Sequence, residues 1–266
     1  ELVTEVAERL DRRVVYVASG DLSHKLLASG PYGFAPEGPA FDELACDAFR
    51  TGNFLELMTA EPGRCERAAE CGLRSFQIMA GALDRTPVKA ELLSYEGPFG
   101  VGYGVGAFEV EGERGAAPER DFGEQYEAWR RADMAKRKAA ESPWVELARL
   151  SLEAYVRDGR RVDALDALRE LRDGADDDAA WDEIESDRAG CFVSLKIDGR
   201  LRGCIGTIQP TRASLAEEIC ANAISAGCRD PRFDPVAAEE LADLVYDVDV
   251  LGAAEGRVQR ERPGVG

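Results

Sequence analysis

The chain has 266 residues and carries 33 lysines and arginines against 51 aspartates and glutamates, a formal net charge of −18. That balance disfavours unassisted binding to nucleic-acid phosphates or anionic membrane surfaces, and the densest cationic cluster is only Lys136-Arg137-Lys138. The length suffices for two domains with separate cores, and no apolar run approaches the roughly 18 residues needed to span a bilayer.

Taken in chain order, apolar residues Leu2, Val3, Val6, Ala7 and Leu10 predict a helix over 1–11, and Val14-Val15-Tyr16-Val17-Ala18 predicts a buried strand. Gly20 then frees the chain to turn, which would present Asp21, Ser23 and His24 at the carboxyl end of that strand, where open α/β sheets place their ligand crevices. His24 is the sole histidine, and an imidazole beside a carboxylate suits proton transfer. An ordinary turn, with Asp21 and Ser23 satisfying backbone amides and His24 at the surface, accounts for the same residues.

The Gly/Pro-rich loop 30–39, with Tyr32 and Phe34, suits an ordered rim or lid. Helical patterns follow at 40–50, 53–59 and 64–84, the last with an apolar face of Ala68, Cys71, Leu73, Phe76, Ile78, Met79 and Ala82. Strands are predicted at 90–95 and 102–110, the glycines of the second fitting close packing against a neighbouring backbone. Because Gly102-x-Gly104-x-Gly106 lies inside a strand and not in a strand-to-helix turn, it does not read as a dinucleotide fingerprint. Glu96, leaving the first of these strands before Gly97-Pro98, is either a metal ligand or an exposed loop acid.

Residues 111–142 form a charged connector with a helix near 123–139, and Ser142-Pro143 starts the next helix. An acidic loop at 173–188 contains Asp176-Asp177-Asp178, read as a solvated turn. Cys191–Ile197 and Arg200–Thr207 then make a hairpin through Asp198-Gly199, before a helix at 213–227 and a strand at 243–251. Arg202 and Cys204, set beside Gly203 and Gly206, form either an anion or nucleophile site or simply a strand packed on a helix.

The seven cysteines include no C-x-x-C pair and read as reduced thiols of a cytoplasmic protein. One histidine precludes a Cys₂His₂ zinc site, and the spacings of Cys191, Cys204, Cys220 and Cys228 do not favour a Cys₄ site. The chain opens on Glu1 without a methionine and closes on a patternless tail at 259–266, so a fragment is expected.

Ser19-Gly20-Asp21-Leu22-Ser23-His24-Lys25-Leu26, Gly30-Pro31-Tyr32-Gly33-Phe34 and Ser94-Tyr95-Glu96-Gly97-Pro98-Phe99-Gly100-Val101-Gly102-Tyr103 resemble the class III extradiol ring-cleavage dioxygenases. The resemblance is to their catalytic, LigB-like subunit and to the related Memo-like proteins. Leu201-Arg202-Gly203-Cys204-Ile205-Gly206 and Cys228-Arg229-Asp230-Pro231-Arg232-Phe233 resemble AMMECR-type domains. The pairing implies an α/β first part, a mixed sheet flanked by helices, followed by an α+β second part. Its boundaries are 1–110 for the carboxyl half of the LigB-like domain, 111–142 for the connector and 143–266 for an AMMECR-like domain, itself truncated.

The resemblance also implies a site. Its family holds Fe(II) with two histidines and a glutamate, and Glu96 matches that glutamate. His24 matches the acid/base histidine, Asp21 would orient it, and Tyr95 and Phe99 would line a pocket for a flat substrate. With one histidine in the chain the two remaining iron ligands are missing, so this chain alone is expected to be inactive. The intact parent would be a ferrous-iron oxidoreductase acting on an aromatic or other oxidisable substrate with O₂. The alternative is a non-catalytic metal-binding adaptor, Memo-like in character. In either case a radical-SAM protein is the implied partner.

Overall fold

The computed structural model describes residues 2–172 and 184–252, and the chain divides into two compact units, Glu1–Ala132 and Asp133–Gly266. The first unit contains α1 (Leu2–Arg9), α2 (Glu37–Thr51), α3 (Leu55–Met58), α4 (Pro62–Ala68), α5 (Leu73–Ala82), β1 (Val88–Glu96) and β2 (Tyr103–Val110). Helix α6 (Phe122–Ala139) begins within it. The two strands pair antiparallel from Val88 opposite Val110 to Glu96 opposite Tyr103, with a bulge between Leu92 and Ser94. Phe41, Phe49, Phe54, Leu57 and Phe76 are buried beneath them. The rings meet edge to face, Phe49 on Phe76 at 5.1 Å and Phe54 on Phe108 at 5.0 Å, an arrangement that aromatic quadrupoles favour.

Two expectations fail here for local reasons. Residues 14–18 form no strand, and Val14, Val15 and Val17 are 54%, 89% and 77% exposed. A strand needs a ladder partner, and no backbone hydrogen bond reaches this run among the described residues. The single helix expected over 64–84 is two helices. Ala69 adopts the left-handed conformation with φ 53 and stops α4, and Cys71 and Gly72 bridge to α5. Helix α4 itself starts where proline permits, with the Glu61 carboxylate accepting from the amides of Gly63 and Arg64. The glycines of β2 do mark close packing, but against the side chains of Leu22 and Phe49 and not against a backbone.

The second unit contains α7 (Pro143–Asp158), α8 (Ala164–Arg172), β3 (Cys191–Ile197), β4 (Arg200–Gly206), α9 (Leu215–Cys228) and β5 (Val245–Val250). Its antiparallel sheet has the order β4-β3-β5. Asp198 and Gly199 both take positive φ, 50 and 73, the requirement of a two-residue turn that matches strand twist. Leu147, Leu152, Val193, Leu195, Ile219 and Ala223 form the centre of its core. The chain is thus an α/β region followed by an α+β domain, built on small antiparallel sheets. Asp176-Asp177-Asp178 and the tail 259–266 lie outside the described residues.

Candidate functional site

The loop 20–26 is fixed from three sides. The amide of Leu22 donates to Gly102 O at 2.9 Å, that of Gly102 to Ser23 O at 2.7 Å, and that of Leu26 to Gly100 O at 3.0 Å. Ser23 is fully buried. Its hydroxyl donates to Ala68 O at 2.9 Å and accepts from the Lys25 amide at 3.0 Å, while its own amide donates to Asp42 Oδ1 at 2.7 Å.

Asp42 is buried on α2, and its other oxygen accepts from the Tyr95 hydroxyl at 2.7 Å. Burial pushes the Asp42 carboxyl above its ordinary range, although the hydrogen bonds from Tyr95 and Ser23 oppose this. Burial and the facing carboxylate raise the Tyr95 hydroxyl as well. Gly102 is required at this point, because a Cβ there would run into the Asp42 carboxylate.

On that support three donors converge. Asp21 Oδ2 lies 3.3 Å from His24 Nε2, and Cys71 Sγ lies 3.9 Å from the same nitrogen. The Asp21 amide donates to Cys71 Sγ at 3.3 Å. One ligand atom from each residue falls within 4.8 Å of the others, the one such grouping of His, Cys, Asp and Glu among the described residues. Tyr32, from the Gly/Pro-rich loop, stacks on the imidazole with ring centres 5.1 Å apart. Gly20 serves this site by its bareness, since a Cβ would strike the Gly72 backbone. Its φ is not positive, so the turning freedom expected of it is not what the fold uses.

The structure therefore brings Asp21 and His24 together and adds Cys71. Reading residues 64–84 as one helix put Cys71 on an apolar face; the break after Ala69 exposes it beside His24 instead. Glu96 is exposed at the end of β1 and lies outside this grouping. Tyr95 is turned to Asp42, and Phe99 is 71% exposed.

In the second unit the Arg202-Gly203-Cys204 stretch lies on β4. The Arg202 guanidinium meets the Glu240 carboxylate at 2.7 and 2.8 Å and donates to Asp234 O at 3.0 Å. Buried Asp230 accepts from the Cys204 amide at 2.9 Å and from Arg232 at 2.7 Å, and Arg232 returns a bond to Cys204 O at 3.1 Å. The Arg232 guanidinium beside Asp230 holds that carboxyl well below the ordinary range. Gly203 leaves room for the Ala226 carbonyl of α9, and Gly206 for the Phe192 ring. Cys204 Sγ accepts from the Ser194 hydroxyl at 3.2 Å.

Sequence comparison places both regions. Residues 1–106 match the family described as the catalytic LigB subunit of aromatic ring-opening dioxygenase, and residues 145–264 match AMMECR1. A protein of Clostridium acetobutylicum is 39% identical over 259 residues, covering 97% of this chain and 52% of that protein. A Thermotoga maritima protein is 44% identical over 116 residues, covering 43% of this chain and 60% of that protein. A crystal structure of a Pyrococcus horikoshii protein is similar at 30% identity and a TM-score of 0.33, covering 41% of this chain and 52% of that one. The chain spans about half the length of the Clostridium relative. It joins, in one polypeptide, a region of the LigB family to a domain of the AMMECR1 family.

Proposed function

We propose that the LigB-like unit contributes to a metal-dependent oxidoreductase site that takes a flat, oxidisable aromatic substrate together with O₂, with ferrous iron as the metal. The observation that supports this best is the convergence of Asp21, His24 and Cys71 within 4.8 Å. A carboxylate oxygen, an imidazole nitrogen and a sulfur form a donor set that first-row divalent metals accept, and three protein ligands leave positions open. The Asp21 amide donates to Cys71 Sγ and so holds the sulfur beside the other two ligand atoms. A bound ferrous ion would supply Lewis acidity and activation of O₂ at this position.

The remaining chemistry belongs to the chain. The Asp21 carboxylate, 3.3 Å from Nε2, restrains the His24 ring, and the stacked Tyr32 ring limits its rotation. The buried Ser23–Asp42–Tyr95 network holds the loop, so these groups are positioned before any ligand arrives. Cys71 takes the place in this proposal that the resemblance gave to Glu96.

Anaerobic titration of the chain with Fe²⁺ tests the site. His24→Ala and Cys71→Ala should each weaken binding by at least about tenfold, with Cys204→Ser unchanged. Equal binding by all variants would overturn it. O₂ consumption on catechol by the ferrous Clostridium relative tests the catalytic half of the proposal. No consumption would leave the second reading, a non-catalytic metal-binding adaptor, for which a radical-SAM protein is the proposed partner. That reading is favoured by the placement of the two aromatic side chains, Tyr95 bonded to Asp42 and Phe99 71% exposed.

A further inference from the structure

We infer that the groove between residues 13–20 and β2 is an acceptor slot for one further extended, apolar β-strand, supplied by the part of the longer polypeptide that the relatives carry and this chain does not span. The groove begins at a fork. Leu22 and Leu26 donate to Gly102 O and Gly100 O, which joins the two segments in antiparallel sense. Upstream of Leu22 the pairing stops. Among the described residues, the backbone of 13–20 makes no hydrogen bond and β2 is laddered to β1 alone.

Between these two rims runs a groove of about 1070 Å³, floored by Phe49, Phe76 and Met79 and lined also by Val3 and Ala7 of α1. An apolar floor between two rims of unpaired main chain suits a strand better than a small apolar ligand or a lipid tail, because only a backbone can satisfy both rims. Val14, Val15 and Val17 are β-branched and exposed, the composition of a strand waiting for a neighbour. Residues 14–20 would extend about 23 Å, the length of an ordinary strand. An inserted strand would bond β2 on one side and residues 14–18 on the other, turning a two-stranded ladder into a sheet of four. The Clostridium relative aligns over 97% of this chain but 52% of its own length, so nearly as much polypeptide again is available to supply that strand.

The test uses the full 266-residue chain mixed with the portion of the Clostridium relative that has no counterpart in it, expressed as a separate polypeptide. Association should slow amide exchange at least about tenfold in both 14–20 and 104–110. Val15→Lys with Val17→Lys should abolish the complex, whereas Ile208→Lys, at an exposed position in the second unit, should retain it. Because both valines are exposed in the chain alone, circular dichroism should report an unchanged fold for the double variant. Failure to associate, or association without protection of both segments, would overturn the inference. Concentration-dependent protection in the chain alone would overturn it too, by assigning the slot to a second copy.

Discussion

Each unit holds a motif of charged and sulfur-bearing side chains, and the two motifs differ in what they leave free. In the first, Asp21 and His24 stand 3.3 Å apart with the exposed thiol of Cys71 alongside, and the grouping opens outward. In the second, Arg202 is clasped by Glu240 and the backbone of Cys204 is bonded by Asp230 and Arg232 at both its amide and its carbonyl. Donors left unclosed can take an external ligand; donors tied off within the fold serve the fold.

The buried carboxylates repeat the contrast. Asp42 has two strong partners and its pKa is still raised by burial. Glu218 is as buried, but burial is outweighed there by bonds from the Thr207 hydroxyl, the Thr211 amide and hydroxyl and the Arg212 amide.

Substitutions at these carboxylates and motifs should tell the two units apart. The largest effect is expected of Glu218→Ala, which orphans four donors at once and should cost about 3 kcal/mol of stability in the second unit by urea unfolding. Gly102→Ala follows, since the added Cβ meets the Asp42 carboxylate and should cost about 2 kcal/mol in the first unit. A smaller effect separates the carboxylates by pH. Glu218 is lowered, so its contribution is present above the ordinary carboxylate value of about 4 and is lost as pH falls toward its folded value. Asp42 is raised, so its contribution is present below about 4 and is lost as pH rises through its folded value. Urea midpoints between pH 3 and 7, taken in roughly unit steps, should therefore lose acid sensitivity in Glu218→Gln and gain it in Asp42→Asn. The reverse pattern would contradict the assignment. Smallest of all, Cys204→Ser should move the melting temperature by the equivalent of less than about 1 kcal/mol, because the motif is held through its backbone.

Much of this was readable from local chemistry. Asp198-Gly199 specifies its hairpin because both residues tolerate positive φ, and Ser142-Pro143 marks a helix start because proline fits the first turn. The Asp21/His24 pair was visible as a lone histidine three residues from an acid. Cys71 was not, because its role depends on a left-handed Ala69, a residue type that carries no signal for that conformation. Residues 14–18 misled for the opposite reason. Their strand propensity is real, yet a strand exists only when a neighbour bonds to it, and neighbours are not written in a five-residue pattern. Nor does the acidity of Asp42 show that a hydroxyl from β1 and an amide from the 20–26 loop will meet it inside the core.

The sequence separation within the Asp21–His24–Cys71 grouping has a thermodynamic consequence. Cys71 comes from 47 residues beyond His24, so an ion gripping both would act as a removable cross-link across a long loop, and clips that close long loops have the most chain entropy to withhold from the unfolded state. Ion and fold would then be linked quantities. An ion present at a hundred times its dissociation constant would add about 2.7 kcal/mol to the folded state, so that a chelator would act on this unit as a mild denaturant.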